Sequence, residues 1–260
     1  DYEGEDSDLY GCSDDASLLA DVLIQRGLVA ADNVILLRDG EVTTTALLEA
    51  IHSRIGQTSE DDVTLIFYSG HGDQREDDGS DELDGLDETI AVFDGHISDD
   101  QLVAETDQLD GTVILALDSC HSGGFSRDFV NRPNRIGLFS SDEDTLSDTA
   151  EPLFAGGYLS YFLRAGLSGE ADSQPRDGLL LVGELTDYVY SQYVVHDRDF
   201  NALRHGGPVQ RLVFDRGSKN WTDWLWFYPR NLDGSLNESE VNLQSAPPEP
   251  GSGTSAGTCR

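Results

Sequence analysis

The sequence is poor in positive charge and has no methionine. Among its 260 residues there is one lysine, Lys219, and 50 acidic residues stand against 16 Lys and Arg, for a formal net charge of −34. A surface this acidic repels phosphates, which argues against nucleic acid as a partner, and it attracts cationic substrates over long range. The absence of methionine predicts that the native start of the polypeptide lies upstream of Asp1.

Long apolar runs and a cysteine framework are also absent. No stretch approaches the ~18 apolar residues that cross a bilayer, and no signal peptide is visible, so we expect no membrane partner. The three cysteines are Cys12, Cys120 and Cys259. They are too few for a disulfide framework and suit a reducing compartment, which predicts a cytoplasmic protein.

Short β-rich segments alternate with amphipathic ones along the chain. Residues 63–68 and 112–117 are unbroken apolar runs of strand length, as expected for strands buried on both faces of a sheet. Further strands are predicted at 34–37, 89–93, 135–140 and 209–214, and helices at 14–26, 43–55, 98–105, 156–167 and 180–195. This alternation predicts an α/β fold with a mostly parallel central sheet and helices on both faces.

Reactive residue types follow the two buried strands. His71 follows the first in the motif Ser-Gly-His-Gly (69–72), and Cys120 follows the second in Asp-Ser-Cys-His-Ser-Gly (118–123). Because the carboxyl ends of the strands line the reactive crevice of an open α/β sheet, we expect the imidazole and the thiol side by side. Taken singly, each residue is more often structural. Their joint placement favours a cysteine nucleophile.

These motifs resemble those of the metacaspases, the caspase-like cysteine peptidases of plants, fungi, protists and bacteria. The separation of His71 and Cys120 agrees with the spacing of about 50 residues found in caspases. Further segments resemble family elements in the same order: Gly-Cys-x-x-Asp-Ala at 11–16, acidic segments at 84–88 and 97–100, and a serine-rich turn at 140–144. The resemblance runs from about Tyr2 to Phe214 and implies a caspase-like three-layer sandwich.

The resemblance also implies how the chain is organised. It implies one peptidase domain over residues 1–230 and an extension over 231–260, which we expect to be disordered from about residue 246 because Pro, Gly, Ser and Thr dominate there. Since the family has a strand just before the position of Asp1, that first strand is expected to be missing from this sequence. Metacaspases are usually monomers, and a monomer is expected here.

The expected reaction is hydrolysis of a peptide bond through an acyl-enzyme. His71 would take the proton of the Cys120 thiol, or hold a preformed thiolate, and later protonate the leaving amine. The backbone N–H groups of Gly72 and Cys120 are candidates for the oxyanion hole. His121 follows the nucleophile, but its side chain should point away from the thiol, and the family generally works with a dyad.

Substrate preference is inferred from the resemblance. Asp15 and Asp118 match carboxylates that bind Arg or Lys at P1 in metacaspases, with Ser69 and Cys12 helping to line the pocket. Two buried carboxylates without a nearby cation repel one another unless a guanidinium arrives. The alternative for Asp15 is that it caps its own helix. The expected partners are therefore polypeptide substrates with a basic P1 residue.

An acidic stretch suggests a calcium site. Residues 76–110 contain fourteen acids and no Lys or Arg. Ca²⁺ takes roughly six to eight hard oxygen ligands. Asp99 and Asp100 match the paired aspartates that bind calcium in many metacaspases, and Asp87 and Asp128 are weaker matches. The stretch lacks EF-hand spacing, and the alternative is a solvated acidic loop.

Two further inferences concern processing and competing functions. Arginines near an Arg-selective site invite self-cleavage, and the candidates are Arg75, Arg127, Arg132, Arg135 and Arg176. Two other functions stay open: a calcium-independent orthocaspase-type peptidase, and a caspase-like binding protein without turnover. The intact motifs around His71 and Cys120 argue against the second.

Overall fold

The computed structural model describes Tyr2, Glu82 and the ranges 8–76, 84–173, 176–178, 180–201, 210–216 and 226–227. Cys259 and the extension from residue 231 lie outside these residues. In chain order the elements are α1 (Cys12–Gln25), α2 (Thr44–His52), β1 (Val63–Ser69), β2 (Gly72–Glu76), β3 (Leu86–Val92), β4 (Gly95–Ser98), α3 (Asp99–Thr106), β5 (Thr112–Asp118), α4 (Phe125–Phe129), β6 (Arg135–Phe139), α5 (Tyr158–Ala165), β7 (Leu180–Leu181), α6 (Val182–Asn201), β8 (Val213–Arg216) and β9 (Trp226–Phe227).

A four-stranded sheet forms the centre of the molecule, in the order β1-β5-β6-β8. β1 and β6 run parallel to β5 on either side of it, and β8 pairs antiparallel with β6. β5 is buried along its whole length. Its unbroken apolar sequence is what a strand covered on both faces requires.

The side chains of β5 alternate between two hydrophobic layers. Ile114 and Ala116 pack with residues of α1, α5 and α6 on one face of the sheet. Val113, Leu115 and Leu117 pack with residues of α2, α3 and α4 on the other. This period of two is the signature of a strand that separates two cores. The prediction of a mostly parallel sheet with helices on both faces is confirmed.

Several parts of the secondary structure differ from the prediction: α4, β7 and β9 were not predicted, and β8 spans Val213–Arg216 rather than 209–214. Residues 34–37 belong to no strand in the described part of the chain, so the strand predicted there is wrong. They line a cavity of about 480 Å³ together with β1. β2 and β4 were not predicted, because residues 72–76 and 95–98 are too polar to read as strands. They pair on either side of β3 in a small antiparallel sheet.

The longest helix, α6, is amphipathic. Leu185, Val189 and Tyr193 are buried against the sheet, whereas Tyr190 and Val194 are exposed. No helix in the described part of the chain combines the length and the hydropathy that crossing a bilayer requires.

Arg135 is buried, which contradicts its candidacy as an accessible self-cleavage site. It begins β6 with 4% of its surface exposed. Its guanidinium donates to the carbonyl oxygens of Thr106, Leu109, Gly111 and Asn134 at 3.0–3.3 Å. Burial lowers the pKa of this guanidinium from its usual range. The residue therefore serves the fold, by satisfying carbonyls that would otherwise be buried without donors.

Candidate active site

The carboxyl ends of β1 and β5 bring the two reactive residues to one place. The strands are parallel and in register, with Ser69 opposite Asp118. The Gly70 N–H donates to the Asp118 carbonyl oxygen at 3.2 Å, which extends the ladder beyond β1. His71 and Cys120 each follow these paired residues by two positions. Because neighbouring strands lie about 4.8 Å apart, both side chains start from the same edge of the sheet.

Gly72 lies against the backbone of the nucleophile candidate. A Cβ atom added to Gly72 would lie 2.0 Å from the carbonyl oxygen of Cys120, so this approach requires glycine. Gly72 is opposite Ile90, and the Ala91 N–H donates to the His71 carbonyl oxygen at 2.9 Å. This is the pattern of a non-hydrogen-bonded antiparallel pair, so the Gly72 N–H faces away from β3.

Two tyrosines hold the His71 backbone, and sequence analysis named neither as functional. The Tyr2 hydroxyl accepts from the His71 N–H at 2.8 Å, and its ring centroid lies 4.9 Å from that of the imidazole. The Tyr68 hydroxyl lies 3.2 Å from the Tyr2 hydroxyl and donates to the Ala91 carbonyl oxygen at 2.6 Å. Burial raises the pKa of both hydroxyls. They therefore stay protonated and can act as donors.

The loop after β6 contacts Cys120 from the opposite side. The Ser147 N–H donates to the Cys120 sulfur, with 3.4 Å between nitrogen and sulfur. His121 has a φ of 59°, and its Nδ1 donates to the Glu143 carbonyl oxygen at 2.7 Å. That bond directs the His121 imidazole toward Glu143. Sequence analysis recognised the serine-rich turn at 140–144 but attached no role to Ser147.

Three of the four residues expected in the P1 pocket lie together. They are Asp15, Asp118 and Ser69, and they are linked by a hydrogen bond or by their pairing in the strand register. Asp15 Oδ2 accepts from the Ser69 hydroxyl at 3.2 Å and from the Gly157 N–H at 3.0 Å. Asp118 Oδ2 accepts from both the N–H and the hydroxyl of Ser160 at 2.7 Å. Both carboxylates are almost fully buried, with 3% and 5% of their surface exposed.

The pKa values of the ionisable residues in this group are raised. Burial raises the pKa of Asp15 to about 6, and the charge of Asp118 adds to the shift. Burial also raises the pKa of Asp118, against the hydrogen bonds from Ser160. The fourth expected residue, Cys12, is a neutral thiol, since burial raises its pKa to about 11, with Ser69 hydrogen bonding opposing. In the described part of the chain, hydroxyls and backbone N–H groups surround the carboxylates.

The alternative that Asp15 caps its own helix is wrong. The N-cap position of α1 is Gly11, and no side chain caps the helix there. The Asp15 carboxylate instead accepts hydrogen bonds from Ser69 and from the loop before α5. The carboxylate is therefore held toward the end of β1.

A second group of carboxylates lies next to the small sheet. Oxygens of Glu82, Asp99 and Asp128 lie within 4.8 Å of one another. Asp99 is 1% exposed, its Oδ2 has no hydrogen-bond partner, and burial raises its pKa to about 7, with the charges of Asp128, Asp87 and Asp100 adding. The structure thus brings Asp99 and Asp128 together. Asp87 and Asp100 lie outside this group of three.

Sequence analysis proposed neither Glu82, a member of this group, nor Glu88 as a calcium ligand. Glu88 is fully buried; its Oε1 accepts from Gln74 at 2.9 Å, its Oε2 has no partner, and burial raises its pKa to about 8. Arg127 forms ion pairs with Glu82 and, at 2.6 Å, with Glu143. The acidic composition of residues 76–110 was the available signal. It does not tell which of fourteen acids converge.

Comparison with known proteins finds similarity to one family over about the first half of the chain. Residues 1–127, which include His71 and Cys120, match the metacaspase, peptidase C14 domain. Over 135 residues the chain is 35% identical to Metacaspase-1A of Neurospora crassa, and over 136 residues it is 32% identical to Metacaspase-1 of Schizosaccharomyces pombe. These alignments cover 47% of this chain but only 30% and 32% of those proteins, so the chain spans about a third of their length. The match of residues 1–127 to the metacaspase C14 peptidase domain confirms the resemblance over that part of the chain.

Solved structures extend the likeness in fold to most of the chain. The crystal structure of protein GSU0716 from Geobacter sulfurreducens superposes with a TM-score of 0.61 at 20% identity, covering 88% of this chain and 91% of that one. Caspase-1 from Spodoptera frugiperda superposes with a TM-score of 0.53 at 13% identity, covering 83% and 82%. The expected caspase-like α/β fold is confirmed.

The close approach of Gly72 to Cys120 can be tested by substituting Gly72. Gly72→Ala should slow alkylation of Cys120 by iodoacetamide about tenfold or more, because the added methyl group forces the Cys120 carbonyl away from its position. Mass spectrometry of the peptide that carries Cys120 measures the rate. Gly183→Ala is the control, since a Cβ there meets no atom within 4 Å. An unchanged rate in Gly72→Ala would contradict the described contact.

Proposed function

We propose that this protein is a cysteine endopeptidase that cleaves peptide bonds after Arg or Lys, is activated by calcium and processes itself. One observation carries the proposal: Asp15 and Asp118 are buried together at the sheet edge where His71 and Cys120 emerge, with neutral groups around them. A pocket of that charge suits a cationic side chain. The family of residues 1–127 supplies the class of reaction.

The reaction follows from the residues at the strand ends. His71 accepts the thiol proton of Cys120, and the sulfur attacks the substrate carbonyl carbon to form a C–S bond. The N–H groups of Gly72 and Cys120 donate to the oxyanion. His71 then gives its proton to the amine nitrogen as the C–N bond breaks. A water molecule, deprotonated by His71, hydrolyses the thioester and restores the thiol.

Contacts around the dyad support these roles. A thiolate is stabilised by donors aimed at the sulfur, and the Ser147 N–H lies 3.4 Å from it. The Tyr2 hydroxyl fixes the peptide N–H of His71, so the imidazole starts from a held backbone. The Gly72 N–H faces away from β3 and is oriented for an oxyanion rather than for the ladder.

The P1 pocket would select its side chain by charge. A guanidinium entering beside Asp15 and Asp118 replaces the solvation that both carboxylates lose on burial. Arg also offers planar donors that match a carboxylate, which favours Arg over Lys. An acidic P1 residue would add a third negative charge to the same pocket.

Peptide preference tests this pocket. A fluorogenic peptide with P1 Arg should be cleaved fastest, P1 Lys more slowly and P1 Asp not measurably, and Cys120→Ala should abolish turnover.

Asp15→Asn should lower kcat/KM for the Arg peptide about 100-fold, because a close charge pair contributes several kcal/mol. Asp14→Asn is the matched control, since Asp14 is the exposed neighbour in the same helix turn. Preference for P1 Asp would refute the proposal.

The raised pKa of Asp15 gives a pH dependence with a defined sign. The carboxyl is neutral below a pKa of about 6 and charged above it, so attraction for a cation is gained as pH rises through that value. The ratio of kcat/KM for P1 Arg over its neutral isostere citrulline should therefore rise about tenfold from pH 5 to pH 7. Asp15→Asn should flatten much of this rise, leaving what Asp118 contributes. The ratio cancels any effect of pH that is common to both substrates. A ratio independent of pH in the wild type would contradict the role of Asp15.

The calcium part of the proposal depends on the Glu82, Asp99 and Asp128 group. Carboxylate oxygens are the ligands that Ca²⁺ prefers, and Asp99 and Glu88 each hold a buried oxygen without a partner. The residues present therefore fit the ion, which would supply positive charge beside Asp99 and Asp128. Arg127 contacts Glu82 and Glu143, so Glu82 would exchange the guanidinium for the ion.

Calcium removal tests that site. EGTA should abolish turnover and lower the melting temperature, because the buried carboxylates then repel one another without a counter-ion. Asp99→Asn should raise the calcium concentration for half-maximal stabilisation at least tenfold. Asp61→Asn, a change at an exposed loop aspartate, should leave it unchanged. Equal melting temperatures and activities in EGTA and calcium would contradict the site.

Self-processing depends on accessible arginines. Arg132 is exposed and pairs with Asp107 at 2.8 Å, and Arg75 and Arg176 are exposed as well. Arg127 lies in α4 with its ion pairs to two glutamates, and cleavage there would require the helix to open. Arg75 is paired with Asp87 in β2, so cleavage there would require the strand to open. We therefore place self-cleavage at Arg132 or Arg176 rather than at Arg75, Arg127 or the buried Arg135.

A further inference from the structure

A buried amide from late in the chain holds the loop that contacts Cys120. Gln210 is 2% exposed, and both ends of its amide are used. Its Oε1 accepts from the Asp148 N–H at 2.9 Å. Its Nε2 donates to the Ser140 carbonyl oxygen at 2.9 Å and to the Ser147 hydroxyl at 3.0 Å. The three bonds tie the end of β6 to the segment of Ser147.

Sheet topology explains how Gln210 arrives there. β8 runs antiparallel to β6, with Val213 opposite Phe139. β8 therefore begins at the sheet edge where β6 ends. Cys120 follows β5 at the same edge. Gln210 precedes β8 by three residues and comes to lie beside Ser140. Its partners are 62 to 70 residues away in sequence, so no local pattern signals the contact.

Ser147 links this amide to both halves of the site. Its N–H lies 3.4 Å from the Cys120 sulfur, and its hydroxyl donates to Asp118 Oδ1 at 3.3 Å. Gln210 Nε2 and, at 2.8 Å, the Ser140 hydroxyl both donate to the Ser147 oxygen, so the hydroxyl proton of Ser147 is left to point at Asp118. The donors run in one direction, from Gln210 through Ser147 to Asp118.

We propose that Gln210 is a positioning residue for the proposed peptidase reaction: it fixes Ser147 so that the Ser147 N–H stabilises the Cys120 thiolate beside the P1 pocket. This inference rests on the proposed function. Asp118 keeps two bonds from Ser160 at 2.7 Å whatever happens to Ser147, so substrate binding should depend little on Gln210. The chemical step should depend on it strongly, because a donor to a charged sulfur is a strong hydrogen bond.

The test compares Gln210→Leu and Gln210→Glu with the wild type. Both variants remove the donors to Ser140 and Ser147. We expect kcat for an Arg peptide to fall about tenfold while KM stays within twofold, and the rate of Cys120 alkylation by iodoacetamide to fall by the same factor as kcat. Gln25→Glu, the same charge change at an exposed position, should change none of these. Thermal unfolding identifies any variant that does not fold.

A second variant separates positioning from loss of structure. Ser147→Ala keeps the N–H toward the sulfur but removes the hydroxyl, so kcat should fall less, about threefold. Gln210→Leu should then cause a smaller fall in that background than in the wild type, because one of its three contacts is already gone. If Gln210→Leu does not fold, Gln210→Glu and Ser147→Ala decide the question.

Two results would overturn the inference. Folded Gln210 variants with unchanged kcat and alkylation rate would show that the amide does not act on the sulfur. A fall in melting temperature and kcat with unchanged alkylation of Cys120 would show a structural role alone. Failure of the proposed function gives a different result: the wild type would cleave no Arg peptide, while alkylation would still report on Gln210.

Discussion

The parallel register of β1 on β5 is the constraint on which the site depends. With Ser69 opposite Asp118, the residues two positions later are His71 and Cys120. A slip of one residue would turn one of these side chains to the opposite face of the sheet. The surrounding contacts brace this register. Tyr2 binds the backbone at His71, and the close packing of Gly72 on Cys120 leaves no room for displacement.

The second organising feature is a set of buried acids that have no cation partner among the residues the structure describes. The pKa values of Asp15, Asp99 and Glu88 are all raised, chiefly by burial. A carboxyl with a raised folded-state pKa binds its proton more tightly in the folded protein. Its contribution to stability is therefore present at low pH and is lost as pH rises through the folded value, here from about 6 to about 8. Above these pKa values the charged carboxylates lower the stability of the fold, and a cation bound beside them would offset that loss.

Local sequence was enough to predict the elements that define the site. The apolar runs at 63–68 and 112–117 became β1 and β5, and the motifs at their ends placed His71 and Cys120 correctly at one sheet edge. Asp15 and Ser69 also came together as the resemblance implied. These positions are fixed by strand length and period, which short segments encode.

What sequence missed depends on contacts between distant segments. Gln210 reaches Ser140 only because β8 folds back along β6, and Tyr2 reaches His71 across the end of β1. Arg135 was expected to be accessible, yet carbonyls from the end of α3 and the loop that leads to β5 enclose it. Residues 34–37 have the apolar pattern of a strand but no ladder partner in the described part of the chain. Composition cannot distinguish these outcomes, since each is decided by tertiary neighbours.

The most direct test of the central claim is the pH dependence of Cys120 alkylation in the wild type and in His71→Asn, followed by mass spectrometry of the Cys120 peptide. If the β1 and β5 ends bring imidazole and sulfur into contact, wild-type Cys120 reacts rapidly at pH 6, where a free thiol with a pKa of about 8.5 is protonated. The variant then reacts only as an ordinary thiol does. Identical profiles for the two proteins would contradict the account.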